Sequence, residues 1–249
     1  MSKTISVSGL VLGAAQNGEH HKILTVLTAE YGIISVYAHG GQSIKSSIFA
    51  ATNPYSYSDF ELYQKGDMYT VKSASVIRNF FDNKYSYVQS TLLIYCNEVL
   101  NYVCCKDTGE DGMLRLALNI FHAVNTKKYS SRLIKGVFDM RCALIQGFPP
   151  DISECTVCGK DVTAFDLKNG CAYCVDHAPK SQDGVVPLSK ACRDAIIYLL
   201  GCPSKKILSF ALDDDAENEF FRICEGYLEY QLEHKFKSTA FFHQALSME

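Results

Sequence analysis

Two Cys-x-x-Cys pairs carry the clearest chemical signal in this chain of 249 residues. Cys155 and Cys158 form the first pair, Cys171 and Cys174 form the second, and twelve residues separate them. A Cys-x-x-Cys turn directs two thiolates at one point, and two facing turns supply the four soft ligands that tetrahedral Zn²⁺ prefers. The pattern therefore predicts one structural zinc ion per chain, held by these four cysteines.

Two alternatives to a four-cysteine site remain open. The cysteines could be reduced or disulfide-linked without a metal, and His177, three residues after Cys174, could replace Cys174 as a ligand. A catalytic zinc keeps one position open and usually has His or carboxylate ligands. The sequence lacks the His-x-Glu of zinc deaminases and the His-Glu-x-x-His of zinc proteases. The predicted metal is therefore structural, and it would hold together a finger too small for its own core.

The composition predicts a protein of a reducing compartment, which we expect to be the cytoplasm. Eleven cysteines occur without a convincing signal peptide, because the segment Ile5–Ala15 alternates like a strand. No run of about 18 apolar residues is present, so no membrane span is expected. The formal net charge of −3 argues against a globally basic nucleic-acid-binding protein but allows a local basic patch.

The order of sequence patterns predicts an α+β fold. Residues 4–80 contain five short alternating segments separated by turns, which fit a small closed barrel of the OB type. From Asp82 the apolar residues recur at intervals of three and four, as in helices. We therefore predict an N-terminal OB-fold β-barrel (1–80), a helical bundle domain in two parts (81–150 and 181–249) and an inserted four-cysteine zinc finger (151–180).

These residues together resemble the RecO family of bacterial DNA repair and recombination mediators. The N-terminal match comprises Gly9–Leu12, Glu19, Lys22–Gly32, Ile34–Val36, Gly40-Gly41 and Lys45-Ser46. The C-terminal match comprises Gly147–Pro150, Cys155-x-x-Cys158-Gly159 and Gly170-Cys171-x-x-Cys174. The resemblance implies a non-enzymatic mediator of the RecFOR type. Such a protein binds single- and double-stranded DNA, anneals complementary strands, contacts the C-terminal tail of SSB and, with RecR, helps load RecA onto SSB-coated DNA.

The barrel offers candidate DNA contacts. An OB barrel binds single strands with basic side chains on the phosphates and aromatic rings under the bases. The basic candidates are Lys22, His39, Lys45, Lys72 and Arg78, and the aromatic candidates are Tyr37, Tyr55, Tyr57 and Tyr69. Each tyrosine could instead pack in the core, and each lysine could be a solvated surface residue. Residues 1–80 carry six Lys/Arg and five Asp/Glu, a balance of +1, so we expect modest, salt-dependent affinity.

The segment Ser130–Gly147 is the candidate contact for the SSB tail. It carries Arg132, Lys135 and Arg141, and a cationic helix face beside an apolar groove suits an acidic tail that ends in Phe.

Two other functions compete with a mediator. A zinc-ribbon regulator of duplex DNA would need a more basic charge. A nucleic-acid-modifying enzyme would use Cys104-Cys105, a pair that packing in a helix also explains.

Overall fold

Buried and exposed residues alternate along the N-terminal strands. The structure, a computed structural model, describes residues 3–66, 68–82 and 84–248. Its first five strands are β1 (Lys3–Asn17), β2 (His21–Thr28), β3 (Gly32–Ala38), β4 (Ser56–Lys65) and β5 (Met68–Asn79). They close into a barrel in the order β1-β2-β3-β5-β4, and only the β3–β5 pair is parallel. The predicted N-terminal barrel is therefore confirmed.

One face of each strand supplies the barrel core. Leu24, Val26, Ile34, Val36 and Phe60 are at most 2% exposed. Because successive side chains in a strand point to opposite faces, the intervening residues of β2 and β3 lie on the outside of the barrel. This alternation decides which of the predicted DNA contacts can reach a ligand.

Six α-helices are present in the described part of the chain. They are α1 (Tyr87–Val103), α2 (Asp111–Thr126), α3 (Ser131–Ile145), α4 (Lys190–Gly201), α5 (Asp214–Leu232) and α6 (Lys237–Leu246). Ser130, Ser189 and Asp213 cap α3, α4 and α5, each side chain accepting a backbone N–H three residues ahead. The apolar periodicity of the sequence predicts helices over residues 85–103, 113–124, 132–147, 189–200 and 214–235, which correspond to the first five helices, but it does not predict α6. Among the described residues, no helix combines the length and the apolar character needed to cross a membrane.

The chain forms two compact units. The barrel unit comprises residues 1–85 and 97–125, and the helical unit comprises residues 86–96 and 126–249. The helical unit also contains a small antiparallel sheet, the finger sheet, with strands β6 (Ala164–Asp166), β7 (Cys171–Tyr173) and β8 (Val185–Pro187) in the order β7-β6-β8. The predicted four-part domain division stays a prediction.

Candidate metal centre and ligand-binding cleft

Three cysteines and one histidine of the helical unit form a cluster of four potential metal ligands. The ligand atoms of Cys155, Cys158, Cys174 and His177 all lie within 4.8 Å of one another. The Cys158 and Cys174 sulfurs are 3.7 Å apart, and His177 Nδ1 lies 3.7 Å from Cys155 Sγ and 3.3 Å from Cys174 Sγ. Zinc bonds of about 2.3 Å to sulfur and about 2.0 Å to nitrogen imply edges of roughly 3.5–3.8 Å. These residues therefore fit a zinc ion.

Two tight turns bring these ligands together. In the first, the Gly159 amide donates to the Cys155 carbonyl over 2.8 Å, and Gly159 has φ +70°, which favours glycine. In the second, the His177 amide donates to the Cys174 carbonyl over 3.1 Å. The Thr156 amide, which donates to the Ala172 carbonyl over 3.0 Å, links the first turn to β7.

Cys171 lies outside this ligand set. It is the first residue of β7, where side chains alternate, so its thiol shares a face with Tyr173 and lies 3.5 Å from the Tyr173 hydroxyl. The sequence leaves His177 open as a substitute for Cys174, but in the structure it takes the place predicted for Cys171. The structure thus brings together three of the four predicted cysteines and completes the set with a histidine.

The surroundings of Cys155 favour its metal-binding thiolate form. Burial by itself raises the pKa of this thiol, but backbone N–H groups of Cys174, Val157 and Cys158 donate to the sulfur and lower the pKa to about 6. The pKa of Cys158 is raised: the Lys160 backbone lowers it, but burial and the neighbouring Cys174 and Cys155 sulfurs outweigh that effect. Since the thiolate is the form that binds a metal, the lowered pKa of Cys155 favours its coordination.

A cleft of about 1180 Å³ opens in the helical unit. One group of lining residues belongs to the finger sheet and its flanks, and the others belong to α3, α5 and α6. The apolar part of its wall includes Leu167, Val186, Leu188, Phe221, Ile223 and Leu246. Charged residues also line the cleft, and these are Arg132, Asp215, Glu219 and Arg222; the imidazole of His243 lines it as well. The cleft can therefore accept a ligand that has both apolar and ionic groups.

Arg132 is the cation of the cleft with the most freedom to bind a ligand. It is half-buried, and within the described residues its guanidinium has neither a hydrogen bond nor an ion pair. Arg222 uses only its Nε, which donates to the Asn218 carbonyl over 3.3 Å. Unpaired guanidinium N–H groups bind carboxylates in a bidentate manner. The cleft thus presents two arginines that can bind an anionic group beside an apolar wall, although the carboxylates of Asp215 and Glu219 also line it.

Lys135 and Arg141 do not form the exposed cationic face that the sequence suggested for α3. Lys135 is fully buried, because it lies on a helix whose positions 133–140 are all buried. Arg141 Nη1 donates to the carbonyls of Leu199 and Cys202, at 2.7 and 3.3 Å, and so closes the C-terminal end of α4. Of the three predicted residues, only Arg132 reaches the cleft.

Two of the predicted DNA contacts, Lys22 and His39, lie at one end of the barrel. Lys22 Nζ lies 2.8 Å from Asn53 Oδ1 and 4.8 Å from the Phe49 ring centroid, and burial lowers the pKa of Lys22. His39 directly follows β3, and Lys45 is exposed in the loop beyond it. The cross-strand pairs of β2 and β3 bring Lys22 opposite Ala38, next to His39. Lys22 and His39 therefore belong to a common region.

The other basic candidates are engaged elsewhere. Lys72 Nζ is 2.6 Å from Glu61 Oε1, and this contact raises the pKa of Lys72. Arg78 Nη2 lies 2.8 Å from His122 Nδ1. Because an acidic partner cancels its charge, Lys72 is a poor phosphate contact.

The aromatic candidates also differ in their surroundings. Tyr69 is 7% exposed and belongs to the barrel core, and Tyr55 packs edge to face against Phe121 with centroids 5.7 Å apart. Tyr57 is half-buried in β4. Tyr37 alone joins a cluster of rings with histidines, two of which, His20 and His21, the sequence patterns did not single out.

Fold and site define a class of protein with an N-terminal β-barrel and a helical unit that carries a Cys/His cluster and an arginine-lined cleft. The family model "Recombination protein O N terminal" matches residues 1–80, and "Recombination protein O C terminal" matches residues 85–240. The chain therefore belongs to the RecO family of DNA repair and recombination proteins, in which the N-terminal barrel is an OB-fold.

Curated relatives extend over almost the whole chain. A DNA repair protein RecO of Acetivibrio thermocellus is 27% identical over 245 residues, which cover 95% of both chains. A DNA repair protein RecO of Caldicellulosiruptor bescii is 25% identical, with 96% of this chain and 98% of the relative covered. A third, from Desulforamulus reducens, is 23% identical over 96% of this chain and 94% of its own. The similarity thus covers both units.

Proposed function

We propose that this protein is a recombination mediator of the RecFOR type. It binds single- and double-stranded DNA, anneals complementary strands and, together with RecR, helps load RecA onto SSB-coated single strands, without catalysing a reaction itself. Family membership and relatives named DNA repair proteins support this role. As a partner of chromosomal DNA with reduced cysteines, it would act in the cytoplasm.

The unpaired guanidinium of Arg132 in the cleft is the observation that carries the proposal. The C-terminal tail of SSB is acidic and ends in an apolar residue with a free carboxylate. Arg132 and Arg222 would bind its carboxylates, and the apolar wall at Phe221, Ile223 and Leu246 would receive its side chains. The cleft thus replaces the helix face of Arg132, Lys135 and Arg141 as the proposed site.

The proposed metal is a structural zinc ion. Cys155, Cys158, Cys174 and His177 would hold it, and coordination would stabilise the two turns that flank β7. A closed set of four ligands leaves no position for a substrate, so the ion would contribute folding energy and not Lewis-acid chemistry.

Binding of a fluorescent peptide with the sequence of the SSB tail tests the proposed site. We expect Arg132→Ala and Arg222→Ala each to weaken binding about tenfold or more, because a hydrogen bond to a charged group contributes about 1.5–3 kcal/mol. Arg115→Ala is the matched control, since Arg115 is exposed on α2 and pairs with Asp111 at 2.9 Å. Undiminished binding by both cleft variants would rule out the cleft as the tail site.

Annealing of SSB-coated complementary strands tests the wider role. The native protein should accelerate annealing, and the acceleration should disappear with SSB that lacks its tail and diminish with Arg132→Ala. Failure to accelerate annealing, with or without RecR, would contradict the mediator role.

A further inference from the structure

His243 of α6 connects the cleft with the buried side chain of Lys135. Its imidazole lines the cleft and is 45% exposed, so a bound ligand can reach it. Its Nε2 lies 2.8 Å from Glu225 Oε1, and Glu225 Oε2 lies 2.7 Å from Lys135 Nζ. Because the Glu225 side chain is only 14% exposed, a change of charge on His243 acts on a carboxylate that solvent screens little.

The contact with Glu225 decides which ring nitrogen of His243 carries a hydrogen. A carboxylate oxygen accepts hydrogen bonds, so Nε2 is the donor, and Nδ1 of the neutral ring has a lone pair and no hydrogen. Within residues 3–66, 68–82 and 84–248, Nδ1 has no hydrogen-bond partner. A proton on Nδ1 therefore converts a free acceptor into a free donor without breaking the bond to Glu225.

Two negative groups lie beside His243. The first is the Glu225 carboxylate, and the second is the C-terminal end of α6, because His243 lies in the last turn of this helix, where the dipole attracts cations. The ring of Phe221, which also lines the cleft, packs against His243 with centroids 5.5 Å apart and fixes the position of the imidazole. A protonated ring is thus accommodated in the position that the structure gives it.

The remaining charges around His243 do not include a second histidine. Burial raises the pKa of Glu229 on α5, and the charge of His243 lowers it in part. His243 is the only histidine among the described residues that line the cleft, and histidine is the side chain whose charge ordinarily changes between about pH 5 and 8. Other charged groups line the cleft or act on Glu229, and these are Arg132, Asp215, Glu219, Arg222, Lys135 and Lys235.

We propose that His243 binds an acidic ligand of the cleft in its protonated form, so that ligand binding is coupled to proton uptake at Nδ1. The lone pair of the neutral ring repels a ligand carboxylate, whereas the protonated ring donates a charge-assisted hydrogen bond to it. Because this coupling is reciprocal, the ligand draws a proton onto His243 to the extent that the proton strengthens ligand binding. The inference rests on the proposed function and adds a third ligand-binding residue and a proton-dependent regulation of the same cleft.

Binding of the fluorescent SSB-tail peptide at about pH 6 and about pH 8.5 tests this coupling, since the carboxylates of the peptide stay ionised over this range. The native protein should bind roughly three- to fivefold more tightly at the lower pH, as expected for a partly exposed ion pair. His243→Gln keeps an amide N–H for Glu225 but cannot gain a proton, so it should bind at both pH values as weakly as the native protein does at the higher one. His243→Lys, a permanent cation, should bind tightly at both.

His20→Gln is the matched control, because His20 Nε2 also lies near a glutamate, 3.9 Å from Glu19 Oε2, but belongs to the barrel unit. It should keep the native pH dependence. Calorimetry at about pH 7 in two buffers of different ionisation enthalpy should show proton uptake in the native protein and in His20→Gln, and none in His243→Gln.

Two results separate this inference from the proposed function. A native affinity that does not change with pH, or an unchanged pH dependence in His243→Gln, would overturn the coupling and leave the cleft as the tail site. A native protein that does not bind the peptide at either pH would overturn the coupling together with the proposed tail site.

Discussion

Lys135 and Asp139 lie one turn apart on α3, with Nζ and Oδ2 separated by 2.7 Å and neither side chain exposed. Glu225 of α5 lies 2.7 Å from the same Nζ, and the Tyr95 hydroxyl donates to the other oxygen of Asp139 over 2.8 Å. His243 Nε2 in turn lies 2.8 Å from Glu225 Oε1. Two carboxylates therefore share one buried cation at the centre of the helical unit.

Replacement of Lys135 by methionine should destabilise the protein strongly. The substitution leaves Asp139 and Glu225 buried without their cation, and loss of one partner of a buried ion pair costs about 3–5 kcal/mol. Urea unfolding would measure this loss. Lys205→Met, at an exposed lysine of the same unit, should change the free energy of unfolding by less than about 0.5 kcal/mol. A loss below about 1 kcal/mol for Lys135→Met would contradict the ion-pair geometry.

Asp139 should make stability fall as the pH rises. Burial raises the pKa of its carboxyl to about 6, although Lys135 lowers it in part. Between about pH 4 and pH 6 the folded carboxyl therefore keeps a proton that an unfolded aspartate, with a pKa of about 3.9, releases, and above this range it is the ionised partner of Lys135. The stability from this group is therefore full below about pH 4 and is lost as the pH rises through about 6. Subtracting the unfolding free energy of Asp139→Asn from that of the native protein should reveal this decline, and a pH-independent difference would contradict it.

His177, not Cys171, should be needed for metal binding. One ligand of four accounts for about 3 kcal/mol of the roughly 10–16 kcal/mol gained by zinc-finger peptides, so His177→Ala should weaken affinity about a hundredfold. Cys171→Ser should keep native affinity, because its thiol faces Tyr173. Competition with a chromophoric chelator would measure both. If Cys171→Ser lost the metal and His177→Ala retained it, the result would support the predicted four-cysteine site instead.

Gly32→Ala should destabilise the barrel unit far more than Gly18→Ala. Both glycines have positive φ, +62° and +66°, but a Cβ on Gly32 would lie 2.0 Å from the Cys105 carbonyl oxygen, whereas a Cβ on Gly18 meets nothing within 4 Å. Left-handed backbone costs alanine about 1–2 kcal/mol at either position, and the clash adds roughly 1–3 kcal/mol at Gly32. Thermal and urea unfolding would compare the stability lost in the two variants. Equal losses would show that the loop at Cys105 can move away from the new Cβ without a loss of stability.

Local patterns in the sequence were enough to predict the barrel and most helix starts. Alternation along β2 and β3 reflects a barrel with one buried face, and Asp213 begins α5 because its side chain satisfies the Ala216 amide. The first metal-binding turn was also predictable, since Cys155 to Gly159 contains every residue that the turn requires.

Features that depend on neighbouring elements were not predictable in this way. The spacing of Cys171 and Cys174 does not reveal that a strand occupies the first position and turns its thiol away. Lys135 looked like a surface cation because the pattern of α3 does not show that other helices surround it. Likewise, Arg222 and His243 lie far apart in the sequence, and only the packing of α5 and α6 brings them to one cleft.

The division of α1 between the two units has a consequence for synthesis on the ribosome. Residues 97–125 complete the barrel unit about half-way through translation, whereas residues 86–96 belong to a unit that ends only at the C-terminus. Tyr95, for example, packs edge to face against Phe236, a residue made 141 positions later, with centroids 5.9 Å apart. At a rate of about 5–20 residues per second, Phe236 is synthesised roughly 7–28 seconds after Tyr95. An early-made segment of this protein is therefore exposed to chaperones for most of the time that the ribosome needs to finish the chain.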